Sequence, residues 1–313
     1  MTPPVALAPE MVIHPRGNTS SKHIHRKLPI DLIRAGQTVT LHRESYEGAH
    51  LAKEVRNLCT LRPPNLTLLQ RQALEAYRSS TDYKIDSFSN VDNHTVEKLR
   101  PLLALYAHLF DALFFANSIL HSGRLSVHIS DRSPKVTGLN GFLHDHPTKP
   151  GEMQIILYLN DLSRDTPLQR INRMLGTLAH EMTHALILMY CCAECQKDMS
   201  FEMMGPKWHG IVWLDIASQV QAAIRSSRML GLPIVELSVA REVASESHKA
   251  NLPVPRDREL QAWGVSRTEV ERRYQEFVAA KPKKVGVRGK ATKAKESVNR
   301  GSTYCVTIFK PST

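Results

Sequence analysis

The chain lacks any run of about twenty apolar residues, the length an α-helix needs to cross a bilayer, so no membrane span is expected. Its first residues, Met1-Thr2-Pro3-Pro4-Val5, lack the charged-then-apolar pattern of a secretory leader, which argues against export. Cysteine is scarce: five in 313 residues, three of them crowded at 191, 192 and 195. Such a distribution does not make a disulfide framework, and the expected compartment is intracellular. Only Cys305 follows Cys195, so the second Cys pair of a zinc ribbon is missing. Internal repeats are absent. Excess charge is absent from the middle of the chain too, because residues 31 to 280 balance and the net charge of +11 lies in the ends.

Most of that charge lies in residues 281 to 300, where eight Lys and Arg face a single Glu296. A stretch beginning Lys281-Pro282-Lys283-Lys284 suits nuclear import, or contact with a nucleic-acid backbone through counterion release. It contains no aromatic residue, so base stacking is excluded as its mode of binding. A solvated tail with no partner is the competing reading.

What the chain does have is His180-Glu181-Met182-Thr183-His184, an HExxH string, and a later His209-Gly210-Ile211-Val212-Trp213. On an α-helix, residues i and i+4 share a face, so His180 and His184 can grip one metal ion. Glu181 is offset from them, placed to act on a water at the metal rather than to bind it. The helix has its own signals. Thr166 can cap it and Pro167 suits its first position. Leu168, Ile171, Leu175, Leu178, Met182 and Leu186 recur at helical spacing, interrupted only by Gly176. Imidazoles and a carboxylate in so apolar a helix are costly unless something binds them. His209, past the helix-stopping Gly205-Pro206 and near the start of a second helix over Ile211 to Arg225, offers a third nitrogen. Glu202 is the rival third ligand.

Along the chain, the patterns divide into a weakly patterned segment 1–30 and a helical extension and linker 31–95 of unknown role. A core of 96–235, a C-terminal helical extension 236–280 and a basic tail 281–313 follow. A helix is expected from Val96 to His121, closed by Gly123. Strands are expected at Leu125–Ser130, Gly138–His144 and Gln154–Leu159. Ser266-Arg267-Thr268-Glu269 opens a further helix to about Ala279. The whole is an α+β chain. His144-Asp145-His146 reads as a solvated turn rather than a metal site. Cys192-Ala193-Glu194-Cys195 has zinc-knuckle spacing but supplies two ligands only, so with Cys191 a second metal, oxidation and an incidental role all stay open. Met203-Met204 reads as packing or as a wall of the site.

Leu178 to Ala185, with the later His-Gly-x-x-Trp, resembles the SprT-like zinc metalloprotease family (Spartan-related). Tyr190 to Asp198 looks like the Cys-rich insertion of its fungal branch. Leu109 to Phe115 and Gln154 to Asn160 resemble the family's entry helix and the strand before the active-site helix. The resemblance spans about residues 96 to 230. It implies a zincin-like metallopeptidase core, with a small sheet packed on the HExxH helix and the third His on the following helix. It further implies His180, His184 and His209 as ligands of one catalytic Zn²⁺ and Glu181 as general base. Protein substrates associated with or crosslinked to DNA, and a nuclear setting, are implied as well; no nucleotide cofactor is expected. Trp208 stands where members commonly carry the first glycine of Gly-His-Gly.

Overall fold

The computed structural model describes residues 11–13, 24–35, 40–85, 95–130, 141–158 and 166–279. The expectations for the basic stretch 281–300, for most of 1–30 and for 86–94 lie outside these. Strands β1 (Met11–Ile13) and β2 (Ile24–Arg26) pair antiparallel. They are followed by α1 (Ile30–Arg34), α2 (Gly48–Thr60), a single 3-10 turn at Pro63–Asn65, α3 (Leu68–Ser79) and α4 (Val96–Phe114). Next come β3 (Leu125–Ser130), β4 (Gly141–Asp145) and β5 (Met153–Tyr158), then α5 (Pro167–Tyr190) and the short α6 (Ala193–Lys197). The chain ends its described part with α7 (Ile211–Arg225), α8 (Val239–Ala250), α9 (Asp257–Ala262) and α10 (Arg267–Ala279). The fold is α+β, mostly helical, with one small three-stranded sheet beside the hairpin. Among the described residues no helix is long and apolar enough to cross a membrane.

In the sheet β5 is central, parallel to β3 and antiparallel to β4, so β4 forms an edge. Helix α5 packs on β4 and β5 with one face and on α4 and α7 with others. Its start follows the sequence signals closely. The Thr166 hydroxyl accepts from the Gln169 N–H, the Gln169 side chain accepts from the Thr166 N–H, and Pro167 fills the first position.

Helix α4 is shorter than expected, stopping at Phe114 rather than His121. Ala116 and Asn117 adopt left-handed backbone, φ 54° and 57°, which ends the helical ladder. The buried Asp111 carboxylate then accepts from the N–H groups of Ile119 and Leu120, folding the chain back before β3. That turn rests on a side chain bonding backbone eight and nine residues on, a pairing that apolar periodicity does not report.

One continuous apolar core runs from Tyr46 to Val270. The stretch 46–74, whose role the sequence leaves open, is inside it: Leu51 and Val55 of α2 and Leu74 of α3 are buried. Gln70, fully buried, donates to the carbonyls of Leu58 and Leu113 and so ties α2, α3 and α4. Asp215 of α7 accepts from Arg56 of α2 and from the Trp263 indole. Val239, Val243 and Ala244 of α8 join the same core.

Candidate metal centre

The HExxH segment lies in the second half of α5, and α7 begins two residues after His209. The structure brings His180, His184 and His209 together. The Nε2 atom of His209 is 3.0 Å from that of His184 and 3.2 Å from that of His180. Trp213, one turn into α7, lies against all three rings, with centroids at 4.6, 5.5 and 4.5 Å from those of His180, His184 and His209. His209 and Glu181 are buried, whereas His180 and His184 stay partly open to solvent.

The Nδ1 of His180 is 3.1 Å from the Leu237 carbonyl, which can only accept, so in the neutral ring Nδ1 carries the proton and Nε2 is bare. The Nδ1 of His209 lies 3.3 Å from the Glu242 carboxylate without a hydrogen bond between them. The Nε2 atoms of His180 and His184 thus both converge on that of His209. A tetrahedral zinc with Zn–N distances of about 2.0–2.1 Å holds its nitrogens about 3.3 Å apart, close to the spacing present. The donor set fits zinc.

Burial and the neighbouring rings hold the His180 imidazole down at about 4, with burial the larger cause. The same causes hold His184 well below the usual range. Both rings are thus neutral near pH 7, with lone pairs available to a metal. Glu181 moves the other way: burial pushes its carboxyl up to about 8, against the Leu143 N–H of β4, which donates to it. These shifts make the metal-free chain pH-dependent in two directions. Imidazoles held below 6.5 bind fewer protons folded than unfolded, so stability falls as pH drops from 6.5 toward about 4. A carboxyl held above 4.5 binds more protons folded, so that contribution is lost as pH rises toward about 8. The denaturation midpoint of the metal-free chain should peak near pH 6.5, and Glu181→Gln should abolish the alkaline decline. A midpoint flat across this range would contradict both shifts.

Two residues absent from the sequence reading complete the surroundings. Glu242 and Glu246, one turn apart on α8, are buried beneath His209. The Glu246 carboxylate accepts from the N–H groups of Lys207 and His209, fixing the loop that carries the third imidazole. The Glu242 carboxylate lies beside the ring's Nδ1. Two acidic residues four apart among Val239, Val243 and Ala244 were the available signal, since carboxylates on a buried helix face need partners. Glu242→Gln should weaken zinc binding by about 10–100-fold, measured by competition with a chromophoric chelator, without unfolding the chain. Unchanged affinity would mean that the carboxylate does not support His209.

Backbone geometry sets the remaining positions. A Cβ on Gly176 would lie 2.1 Å from the Glu236 carbonyl oxygen, so only glycine lets the segment before α8 run against α5. The contact holds the Leu237 carbonyl where His180 meets it, while the Leu237 N–H is tied to Gln221. Gly210 is equally restricted, since a Cβ there would meet the Met203 oxygen at 2.4 Å and the Gly205 nitrogen at 2.5 Å. Trp208 adopts φ 66°, left-handed backbone that glycine would take without cost and that a larger residue takes at about 1–2 kcal/mol. The loop keeps the conformation a glycine would favour, and the His209 imidazole remains in place.

Glu202 is exposed and is outside the histidine cluster. Met203 and Met204 are buried in the core beside the His209 loop. His144 bonds to Gln154 across the sheet and His146, half-buried, precedes the turn; neither belongs to a metal-holding group. Among the described residues a second group able to hold a metal does exist, formed by His25, Cys192 and Cys195. Comparison with known proteins adds no relative: no family model, curated protein or solved structure matches the chain.

Proposed function

We propose that the chain is a zinc metallopeptidase of the SprT-like family with a zincin-like core, acting on proteins associated with DNA. The observation that carries this reading is the convergence of three imidazole Nε2 atoms beside a buried glutamate. His180, His184 and His209 would hold the ion. When bound, zinc supplies Lewis acidity toward a peptide carbonyl and lowers the pKa of water. Glu181 takes the proton of the attacking water and passes it to the departing amine. The Leu143 N–H holds the carboxylate in position for both transfers. A dication nearby opposes the upward shift of Glu181, so the carboxyl becomes a base in the loaded site. Strand β4, the sheet edge from which Leu143 reaches Glu181, offers backbone groups to an extended substrate segment.

A metal-braced binding module without turnover is the alternative. Structural zinc is normally closed by four protein ligands. Among the described residues only three donors gather at the histidine cluster, and Cys192 and Cys195 belong to the other group. This favours a site with a position left for water or substrate.

The DNA part of the reading rests on the Lys and Arg of residues 281–300 and on the family resemblance. Affinity for duplex and single-stranded DNA, measured across a salt series, tests it. Deleting 281–300 should flatten the dependence of log affinity on log salt. An identical slope in the two chains would remove DNA from the proposal and leave the peptidase standing.

A further inference from the structure

The Cys-rich turn after the HExxH helix has partners that its own sequence neighbourhood does not supply. Cys192 caps α6, and its sulfur accepts from the Cys195 N–H at 3.2 Å. His25, 167 positions earlier, places its Nε2 atom 3.2 Å from the Cys192 sulfur and 3.5 Å from that of Cys195. All three side chains are buried, at 4 %, 6 % and 9 % exposure. A tetrahedral zinc with Zn–N of about 2.0–2.1 Å and Zn–S of about 2.3 Å sets its nitrogen and sulfur ligands about 3.6 Å apart. The cysteines are free thiols. The thiol of Cys191 is hydrogen-bonded to that of Cys195 but is not one of the three converging donors.

The backbone delivers these groups to one point by a chain of hydrogen bonds. The Arg26 N–H, next to His25, donates to the Ser45 carbonyl. Glu44 donates to the Met189 carbonyl, and Ser45 and Tyr46 donate to that of Tyr190, at the last turn of α5. Cys192 donates back to the Tyr46 carbonyl, and Tyr46 forms a parallel bridge with Cys191. Residues 44–46 are thus hydrogen-bonded both to β2 and to the end of the HExxH helix, which brings His25 and the two cysteines together.

We propose that His25, Cys192 and Cys195 bind a second zinc ion that clamps the β2 segment to the C-terminal end of α5. The site is separate from the histidine cluster and does not depend on peptidase activity. Its ligands come from segments far apart in the chain, so the metal closes a long loop and its binding energy becomes folding energy. A reactive dithiol is the other reading of a CxxC turn. Against it, both sulfurs are buried and share the one His25 imidazole, at 3.2 and 3.5 Å.

The test uses the full chain carrying His180→Ala and His184→Ala, so that the histidine cluster no longer holds metal. This chain should retain one zinc per molecule. Loaded with Co²⁺, it should show the intense near-ultraviolet charge-transfer band of thiolate–cobalt bonds, which a three-histidine site cannot give. Adding Cys192→Ser, or separately His25→Ala, should remove the ion, and chelation should lower the melting temperature of the parent. If the cysteine variant fails to fold, the cobalt spectrum of the wild-type chain decides alone. A wild-type chain lacking the charge-transfer band, or a Cys192–Cys195 disulfide in chain purified without oxidant, would overturn the proposal.

Discussion

Glu181→Gln should lower kcat for peptide hydrolysis by about 10²–10⁴-fold while leaving zinc content unchanged. The separation follows from where the residue sits. Glu181 contributes no atom to the histidine cluster, and its carboxylate instead accepts from the Leu143 N–H. Glutamine has the same shape and keeps an acceptor oxygen for that N–H, so the helix and the sheet edge should stay in register. It cannot take a proton from water. A structural residue would show the opposite pattern, with loss of stability and of metal alongside activity. Should the variant cleave at the wild-type rate, another group is the base and the assignment of Glu181 is wrong.

His184→Ala should remove metal and activity together. Its Nε2 is one of three converging donors, 3.0 Å from that of His209, and two nitrogens do not complete a zinc site. The affinity loss should exceed the factor of about 10–100 expected for an outer partner such as Glu242. Because the His25 group is expected to hold its own ion, the result to look for is the loss of one zinc per chain, not of all zinc. The ring also stacks on Trp213 at an interplanar angle of 25°, so truncation leaves a gap beside the indole. A modest stability loss is expected, and activity restored by excess zinc without any gain in bound metal would argue against His184 as a ligand.

The parts of this molecule that could be read from its sequence are those carried by local periodicity and local caps. Helix α5 begins and ends where Thr166, Pro167 and the apolar spacing place it, and α7 matches the run from Ile211 to Arg225. Two of the three histidines could be picked out because they share a helix face, whereas the choice of His209 over Glu202 rests on the family resemblance. What could not be read is what arrives from a distance or from the backbone. Glu242 and Glu246 belong to no motif, and their partner His209 lies more than thirty positions earlier. The Leu237 carbonyl that fixes the His180 tautomer is main chain, positioned by a glycine on another element. His25 meets the CxxC turn across a separation of 167 residues, and nothing near either segment announces the pairing. The end of α4 differs from the expected one for a similar reason, because the turn depends on the Asp111 carboxylate rather than on Gly123.

The most direct test of the central claim is digestion of a basic DNA-binding protein by the zinc-loaded chain in heavy-oxygen water, with mass spectrometry of the fragments. Hydrolysis through water activated by Glu181 predicts new carboxyl termini carrying one heavy oxygen, absent when the metal is stripped and restored when zinc is returned. A zinc-loaded wild-type chain that leaves the substrate intact, with and without DNA, would contradict the account and make the histidine cluster a binding site rather than a catalytic one.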